Sequence, residues 1–362
     1  MQAVMADQDD VPISARDAKE LFADYRTAPA IVLAVSGGPD SVAMMWLAVR
    51  WRRALRRGPR LVAVTVDHGL RTESAREASD VKQLAKAFGI EHRTVRWRGS
   101  KPKTGLPAAA REARYRLLTQ VARASGATHL LTAHTRDDQA ETLLMRMARG
   151  SGLAGLGAMA RLSERDGLML ARPLLEMPKG RLLATLAKAK LSFAVDPTNQ
   201  DRNYTRPRFR ALMPALAAEG CDARNLARLA ARLARANASL ELMVDGAERL
   251  LAMRDRQAAI LPPPAGVGFD AVAFAGLPDE IRIRLMQRVL NRIGHEGPAE
   301  FGKVEALVMA LDRAKTGSDG KSLNVFKQTL AGAVIIRKKG RLAILPAPPR
   351  GAAQRRGGPD ST

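Results

Sequence analysis

The sequence predicts a doubly wound α/β domain built on a parallel sheet, followed by a mainly helical domain that ends in a β-hairpin. Three observations predict it. Between Ala30 and Ala133 four short apolar runs alternate with stretches of helical length. The runs are continuously apolar rather than alternating, the mark of strands covered on both faces. Beyond residue 215 apolar residues recur three and four apart, the period of amphipathic helices.

The first run is Ala30-Ile-Val-Leu-Ala-Val35, the second Leu61-Val-Ala-Val-Thr-Val66, the third a weaker His92-Arg-Thr-Val-Arg-Trp97, and the fourth Thr128-His-Leu-Leu-Thr-Ala133. Helices are expected between them, over residues 41–57 and 107–125. Residues 168–172 read as one more strand and 178–190 as a helix. Residues 196–214 are polar, rich in Arg and punctuated by Pro197, Pro207 and Pro214, so a linker or ligand-facing loop is expected there. Leu226, Leu229, Leu233, Ala236, Leu240 and Met243 then mark a long amphipathic helix. Two further helices are expected over 279–293 and 300–314. Residues 329–336 and 341–345 flank Arg337-Lys-Lys-Gly340 and read as the hairpin. The last residues are rich in Pro, Gly and Arg and are expected to be disordered. The expected organisation is a nucleotide-binding catalytic domain over 1–214, a helical and hairpin domain over 215–346, and a basic tail over 347–362.

Composition narrows the class of function. Hydrophobic residues make up 46% and charged residues 26% of the 362, an ordinary globular profile. No apolar run reaches the roughly 18 residues a membrane helix needs. Residues 1–10 carry Asp7, Asp9 and Asp10 without an apolar core, so no signal peptide is read and a cytoplasmic address is expected. The net charge is +23, which calls for a polyanionic partner such as nucleic acid. Cys221 is the single cysteine, which excludes disulfide scaffolds, Cys-rich zinc sites and iron–sulfur clusters.

In an open parallel sheet, ligands bind outside the carboxyl ends of the strands, so the segments after each strand carry the chemistry. Ser36-Gly-Gly-Pro-Asp-Ser41 follows the first. Gly37 and Gly38 let backbone N–H groups approach an anion, Ser36 and Ser41 add hydroxyls, and Pro39 opens a helix whose positive end faces the same way. The segment lacks the Gly-Lys-Ser/Thr ending of a Walker A loop. Asp40 beside phosphate implies a bridging Mg²⁺. Asp67-His-Gly-Leu-Arg71 follows the second strand, and His68 is a candidate phosphate contact or a packed turn residue. A basic loop from Arg98 to Thr104 follows the third. His134-Thr-Arg-Asp-Asp-Gln-Ala-Glu-Thr142 follows the fourth. Asp137 and Glu141 share a helix face there, with Asp138 beside them, although acids in a first helical turn also serve as dipole complements. His68 and His134 without further ligands make a weak zinc site.

These residues together resemble a known family. Ser36–Ser41 is similar to the PP-loop of the N-type ATP pyrophosphatases, which adenylate a carbonyl oxygen and release pyrophosphate. The combination of Asp67–Arg71, Ala133–Thr142, Leu144-Met-Arg-Met-Ala-Arg-Gly-Ser-Gly152, Arg172-Pro-Leu-Leu175 and Asp196-Pro-Thr-Asn199 resembles the tRNA(Ile)-lysidine synthetase family in particular. The resemblance covers residues 30–215 strongly and the remainder loosely. Pro207 departs from it, standing where the family usually has Asn, and the chain is shorter than the family's longest members. The resemblance implies an RNA-modifying ligase that uses ATP, with Mg²⁺, and free L-lysine to convert the wobble cytidine of the CAU anticodon of tRNA(Ile) to lysidine. No protein partner and no membrane are implied. Asp40 would hold the metal. Asp137 would bind metal or deprotonate lysine, with Glu141 second in that role. Arg111 and Arg114, at helical spacing, and Arg206, Arg208 and Arg210 in the polar segment are candidate phosphate contacts for ATP or tRNA. A solvated Arg face is the alternative for each of them.

Three rivals are set against this reading. A PP-loop tRNA thiolase needs more thiols than Cys221 offers. A small-molecule amidotransferase has no use for a charge of +23. A non-catalytic ATP-dependent RNA-binding module would keep the cradle and the basic surface without needing Asp137.

Overall fold

The computed structural model describes residues 8–69, 74–99, 101, 102, 104–194, 205–254, 266–314 and 325–348. The chain forms two compact units, Met1–Ala234 and Arg235–Thr362.

In the first unit the order is α1 (Ala15–Leu21), β1 (Ala30–Ala34), α2 (Pro39–Arg53), β2 (Arg60–Asp67), α3 (Ser74–Ala87), β3 (Glu91–Arg96), α4 (Leu106–Ala124), β4 (His129–Leu131) and α5 (Arg136–Met147). It continues with α6 (Leu153–Leu156), β5 (Leu162–Arg165), β6 (Leu168–Ala171), α7 (Lys179–Lys188), α8 (Thr205–Ala218) and the start of α9 (Ala223–Arg254). The sheet order is β3-β2-β1-β4-β6-β5. All pairings are parallel except β5 with β6.

Each strand serves two cores, because successive side chains point to opposite faces. Ile31, Leu33 and Val35 pack with Met44, Leu47 and Leu182 on one face. Ala30, Val32 and Ala34 pack with Tyr115, Leu118 and Ala122 of α4 on the other. Each fully buried leucine in these layers contributes roughly 1.5–3 kcal/mol. The edge strand β3 is polar, and Glu91 there pairs with Arg60 and Arg93, which discourages edge-to-edge association.

The sequence reading differs from this unit in two places. β5 was not expected. It exists because Asp166 and Gly167 both adopt positive φ, 52° and 74°, the two-residue turn that a hairpin prefers. The expected polar linker over 196–214 is helical in its second half. Phe209, Met213 and Leu216 of α8 pack against Ala140, Leu143 and Leu144 of α5, an apolar spacing that the prolines and arginines masked. Pro214, the expected end of the first domain, lies inside this helix. Residues 195–204, with the Asp196–Asn199 motif, lie outside the described residues, as do Arg71, Ser100 and Lys103.

The second unit contains the remainder of α9, β7 (Val267–Asp270), α10 (Ala271–Ala275), α11 (Asp279–Ile293), α12 (Phe301–Arg313), β8 (Val325–Leu330), β9 (Ala333–Lys338) and β10 (Arg341–Pro346). The expected hairpin is part of a four-stranded antiparallel sheet in the order β7-β10-β9-β8. The run read as one strand over 329–336 is broken by Ala331 and Gly332, both at positive φ, so Thr329 belongs to β8 and Ile336 to β9. Leu240, Val244, Ala247 and Leu251 of α9 join the core, whereas Met243 of the expected stripe is exposed. Arg284, Arg288 and Arg292 of α11 are committed to Glu241, Asp245 and Glu248 of α9. These arginines are structural cations rather than free RNA contacts. The expected tail lies outside the described residues beyond 348.

Candidate active site

The strand order sets the place of the site. The chain runs from β1 outward through β2 to β3, then crosses back to β4 on the other side of β1. The loops after β1 and β4 therefore diverge, and the crevice between them is where an open α/β sheet binds ligands.

The loop after β1 is held open by its own hydroxyls. The Ser36 N–H donates to Ser41 Oγ at 3.1 Å, and Ser41 Oγ donates to the Gly38 carbonyl at 2.9 Å. Gly37 has φ +93°, a backbone conformation that side chains with a Cβ rarely adopt, so glycine is favoured there. Gly38 caps α2 without a side-chain partner, and Pro39 is the first helical residue. The first turn thus keeps N–H groups and the helix dipole directed at the loop. A cleft of about 700 Å³ opens beside it. Ala34, Val66, Pro107 and Leu118 give the cleft apolar walls, while Ser36, His68, Arg114 and Arg210 contribute polar groups. An apolar chamber ending at a phosphate cradle has the chemistry of a nucleoside triphosphate site.

His68 and Arg114 both line this cleft. The His68 ring stands edge-on to Trp97 at 6.1 Å, and burial lowers its pKa, with Arg114 acting in the same direction. The loop carrying it is tied to Asp67, which accepts from Gly69 N–H at 2.8 Å, Ser74 Oγ at 2.9 Å and Arg96 Nε at 2.8 Å. His134 is a residue whose role the sequence left open. Burial holds its pKa down to about 4, with Arg114, Arg172 and Arg111 adding to the effect against Asp138. The ring is therefore neutral at physiological pH, with Nδ1 3.0 Å from Thr132 Oγ1. Arg111 is exposed and stacks over Tyr115 at 5.1 Å, apart from the cleft lining.

The carboxylates divide by environment. Asp40 is largely buried on the first turn of α2, and burial pushes it up to about 6; Lys179 opposes this, while Asp138 and Asp137 add to it. Its Oδ2 lies 3.6 Å from the Lys179 ammonium, and its Oδ1 is buried without a hydrogen-bond partner. Asp137 Oδ2 accepts from the Lys179 N–H at 2.9 Å. Asp138 closes a capping box with Thr135 and so serves the helix end. Glu141 is buried and doubly paired. Arg210 Nε donates to its Oε1 at 2.8 Å, and Arg206 Nε lies 3.0 Å from Oε2. Those pairs link α8 to α5, and Arg206 and Arg210 also line the cleft. Arg208 reaches its own helix start at Thr205 Oγ1, 3.5 Å away. Glu141→Gln is expected to cost about 1–3 kcal/mol, because Arg210 loses a charged acceptor and Arg206 its ion-pair partner. A fall of several degrees in melting temperature would show it.

Among the described residues no three His, Cys, Asp or Glu side chains gather into a ready-made metal site. The orphaned Asp40 oxygen, a hard carboxylate donor beside Asp137, nevertheless fits a hydrated Mg²⁺ arriving with the nucleotide. Sequence reasoning missed Lys179, which looks like an ordinary lysine in the first turn of a helix.

A family profile described as a PP-loop domain matches residues 11–216. A tRNA(Ile)-lysidine synthase of Bradyrhizobium diazoefficiens is 64% identical over 98% of this chain and 100% of its own length. One of Rhodopseudomonas palustris is 61% identical over 96% of this chain and 99% of its own. Among solved structures, a U34-tRNA thiolase of Methanococcus maripaludis that carries an iron–sulfur cluster superposes with a TM-score of 0.53. It covers 61% of this chain and 78% of the thiolase at 18% identity, a likeness of fold alone.

Proposed function

The chain belongs to the tRNA(Ile)-lysidine synthase family of PP-loop proteins, and from that premise we propose that its cleft seats ATP against a wobble cytidine and joins free lysine to it. It is an ATP-dependent, tRNA-modifying ligase. The observation that carries the reading is kinship along essentially the whole chain, with the glycine cradle intact at the switch point.

The chemistry explains the parts. The 2-carbonyl oxygen of cytosine is a poor leaving group. It attacks the α-phosphorus of ATP, an O–P bond forms, and pyrophosphate leaves with its bridging oxygen. The ε-amine of lysine then attacks ring carbon 2, the C–O bond breaks, AMP departs and the amine loses a proton. The Ser36–Ser41 loop holds phosphate by backbone N–H groups, and the apolar cleft walls hold the adenosine. Asp40, with Asp137, would hold Mg²⁺, which supplies charge neutralisation on the phosphates. With a pKa near 10.4, only about one lysine amine in a few thousand is neutral at pH 7, so a carboxylate must take its proton. Asp137 is the carboxylate we assign to that work; the pairing of Glu141 with two guanidiniums supports the choice. A cytoplasmic location fits a tRNA and a free amino acid as substrates, and no helix among the described residues is long and apolar enough to cross a membrane.

The deciding experiment mixes the protein with ATP, Mg²⁺, labelled lysine and bulk tRNA. Label is expected in RNA, with one AMP and one pyrophosphate released per lysine; label that stays free rejects the reading. The tRNA affinity should come largely from phosphate contacts, for which exposed Arg224, Arg228 and Arg232 on α9 are suited. Binding should therefore weaken with salt, by roughly 0.7–0.9 in log–log slope for each phosphate neutralised. A flat salt dependence in a filter-binding titration would contradict that grip.

A further inference from the structure

We propose that Lys179 is a catalytic residue of the adenylation step, its ammonium receiving the pyrophosphate that leaves ATP. The proposal rests on the ATP-dependent reading above and names a residue that reading does not use. Lys179 opens α7, and its backbone and side chain serve different partners. Its N–H donates to Asp137 Oδ2 at 2.9 Å, while its ammonium lies 3.6 Å from Asp40 Oδ2. It thus joins the two carboxylates that flank the switch point, one from the first turn of α2 and one from the first turn of α5.

The first turn of α7 is held in place by other contacts than this ion pair. The segment before α1 lies across it so closely that a Cβ on Gly180 would stand 2.6 Å from the Asp9 carbonyl. The Ile13 N–H donates to Thr185 Oγ1 at 2.8 Å, and Arg181 donates to the Val11 carbonyl at 3.0 Å and to Asp17 at 2.5 Å. The lysine backbone is anchored, and the side chain, about one-third exposed, can be reached from solvent.

Direction follows from the cleft. Its apolar walls take the adenosine, and Ser36 and Gly38 line it too, so the phosphates run over the cradle toward the first turn of α2. Asp40 lies in that turn, and Lys179 faces it. When the cytidine oxygen bonds to the α-phosphorus, the bond to the bridging oxygen breaks. Its electron pair stays on pyrophosphate, which gains negative charge at the end that Lys179 faces. A fixed cation there stabilises the transition state more than the bound substrate. Were Lys179 only a counter-ion for Asp40, leaving-group charge would not involve it.

The test uses the full chain with ATP, Mg²⁺, tRNA and lysine. Lys179→Met should slow single-turnover release of pyrophosphate about 100-fold, the scale of losing one preorganised donor to developing charge. Inhibition by added pyrophosphate should weaken about tenfold, the KM for lysine should hold, and Lys179→Arg should recover much of the rate. Lys179→Gln replaces the Met variant if that variant melts early. Wild-type pyrophosphate release and inhibition in the neutral variant would overturn the proposal. So would a raised KM for lysine with pyrophosphate release intact, which would assign Lys179 to the amine. If the wild-type protein places no lysine in tRNA, the ligase reading fails instead.

Discussion

Asp40→Asn is expected to leave a folded protein that releases pyrophosphate about 100- to 1,000-fold more slowly, and to raise its stability at neutral pH. The first effect follows from the orphaned Oδ1, which is buried at the cradle and has no other work. The second follows from the direction of the pKa. Burial raises Asp40 to about 6 from an ordinary value of 3.8. The folded state thus holds this proton more tightly than the unfolded chain does. The associated stability is full below about pH 4 and lost as the pH rises through about 6. Asparagine does not titrate, so the variant should melt together with the wild type at pH 4 and above it at pH 7.5. The gain should be on the order of 2 kcal/mol, measured by thermal unfolding without nucleotide or metal. A variant that was slow and also less stable at every pH would mean that Asp40 is a structural residue. Loss of rate together with gain of stability is the pattern of a carboxylate kept in a strained environment for its chemistry.

Much of this arrangement is legible in the sequence, for identifiable reasons. Strands β1, β2 and β4 announce themselves because burial on both faces forces continuous apolar runs, whereas β3, a polar edge strand, gives only a weak run. Their order places Ser36–Ser41 and His134–Thr142 on either side of one crevice. Where the reading failed, local chemistry was outweighed by packing. The 205–218 segment carries Pro207, Pro214 and three arginines, all signs of a loop, yet Phe209, Met213 and Leu216 fall on one face and dock on α5. The hairpin at residues 165–168 was signalled by Asp166-Gly167, a turn pair between short runs that are only partly apolar. Ala331 offered no comparable signal, because alanine seldom adopts its positive φ.

The site shows the same division. That Ser36–Ser41 and His134–Thr142 follow strand ends was legible from position alone. Partnerships across the fold were not. Glu141 lies four residues from Asp137 and looks equivalent to it on a helix drawn from sequence. Only the return of α8 turns Glu141 into the buried carboxylate that accepts from Arg210 and ion-pairs with Arg206. Lys179 is 42 residues from Asp137 along the chain, and no periodicity links them. Nor could sequence show that His134 is kept neutral, because that results from burial in the fold, with the charges of Arg114, Arg172 and Arg111 adding to it.

Asp137→Asn is expected to stop lysine transfer, and the pH dependence of what remains should reveal why. An asparagine carbonyl can still accept the Lys179 N–H, so the junction of α5 and α7 should hold and the variant should fold. The lost function is proton removal from the incoming ammonium, an effect of about 10²- to 10⁴-fold. The fraction of lysine already neutral rises tenfold per pH unit below 10.4. A variant without its base should therefore gain rate with pH more steeply than the wild type. If Asp137 acts only as the base, single-turnover pyrophosphate release should stay near the wild-type rate while adenylated tRNA accumulates. If Asp137 instead shares Mg²⁺ with Asp40, release of pyrophosphate should fall as well and raising the pH should not help. Lysidine formed at the wild-type rate would remove Asp137 from both roles. The remaining carboxylate candidate on that face, Glu141, would first have to leave Arg206 and Arg210 to act as the base.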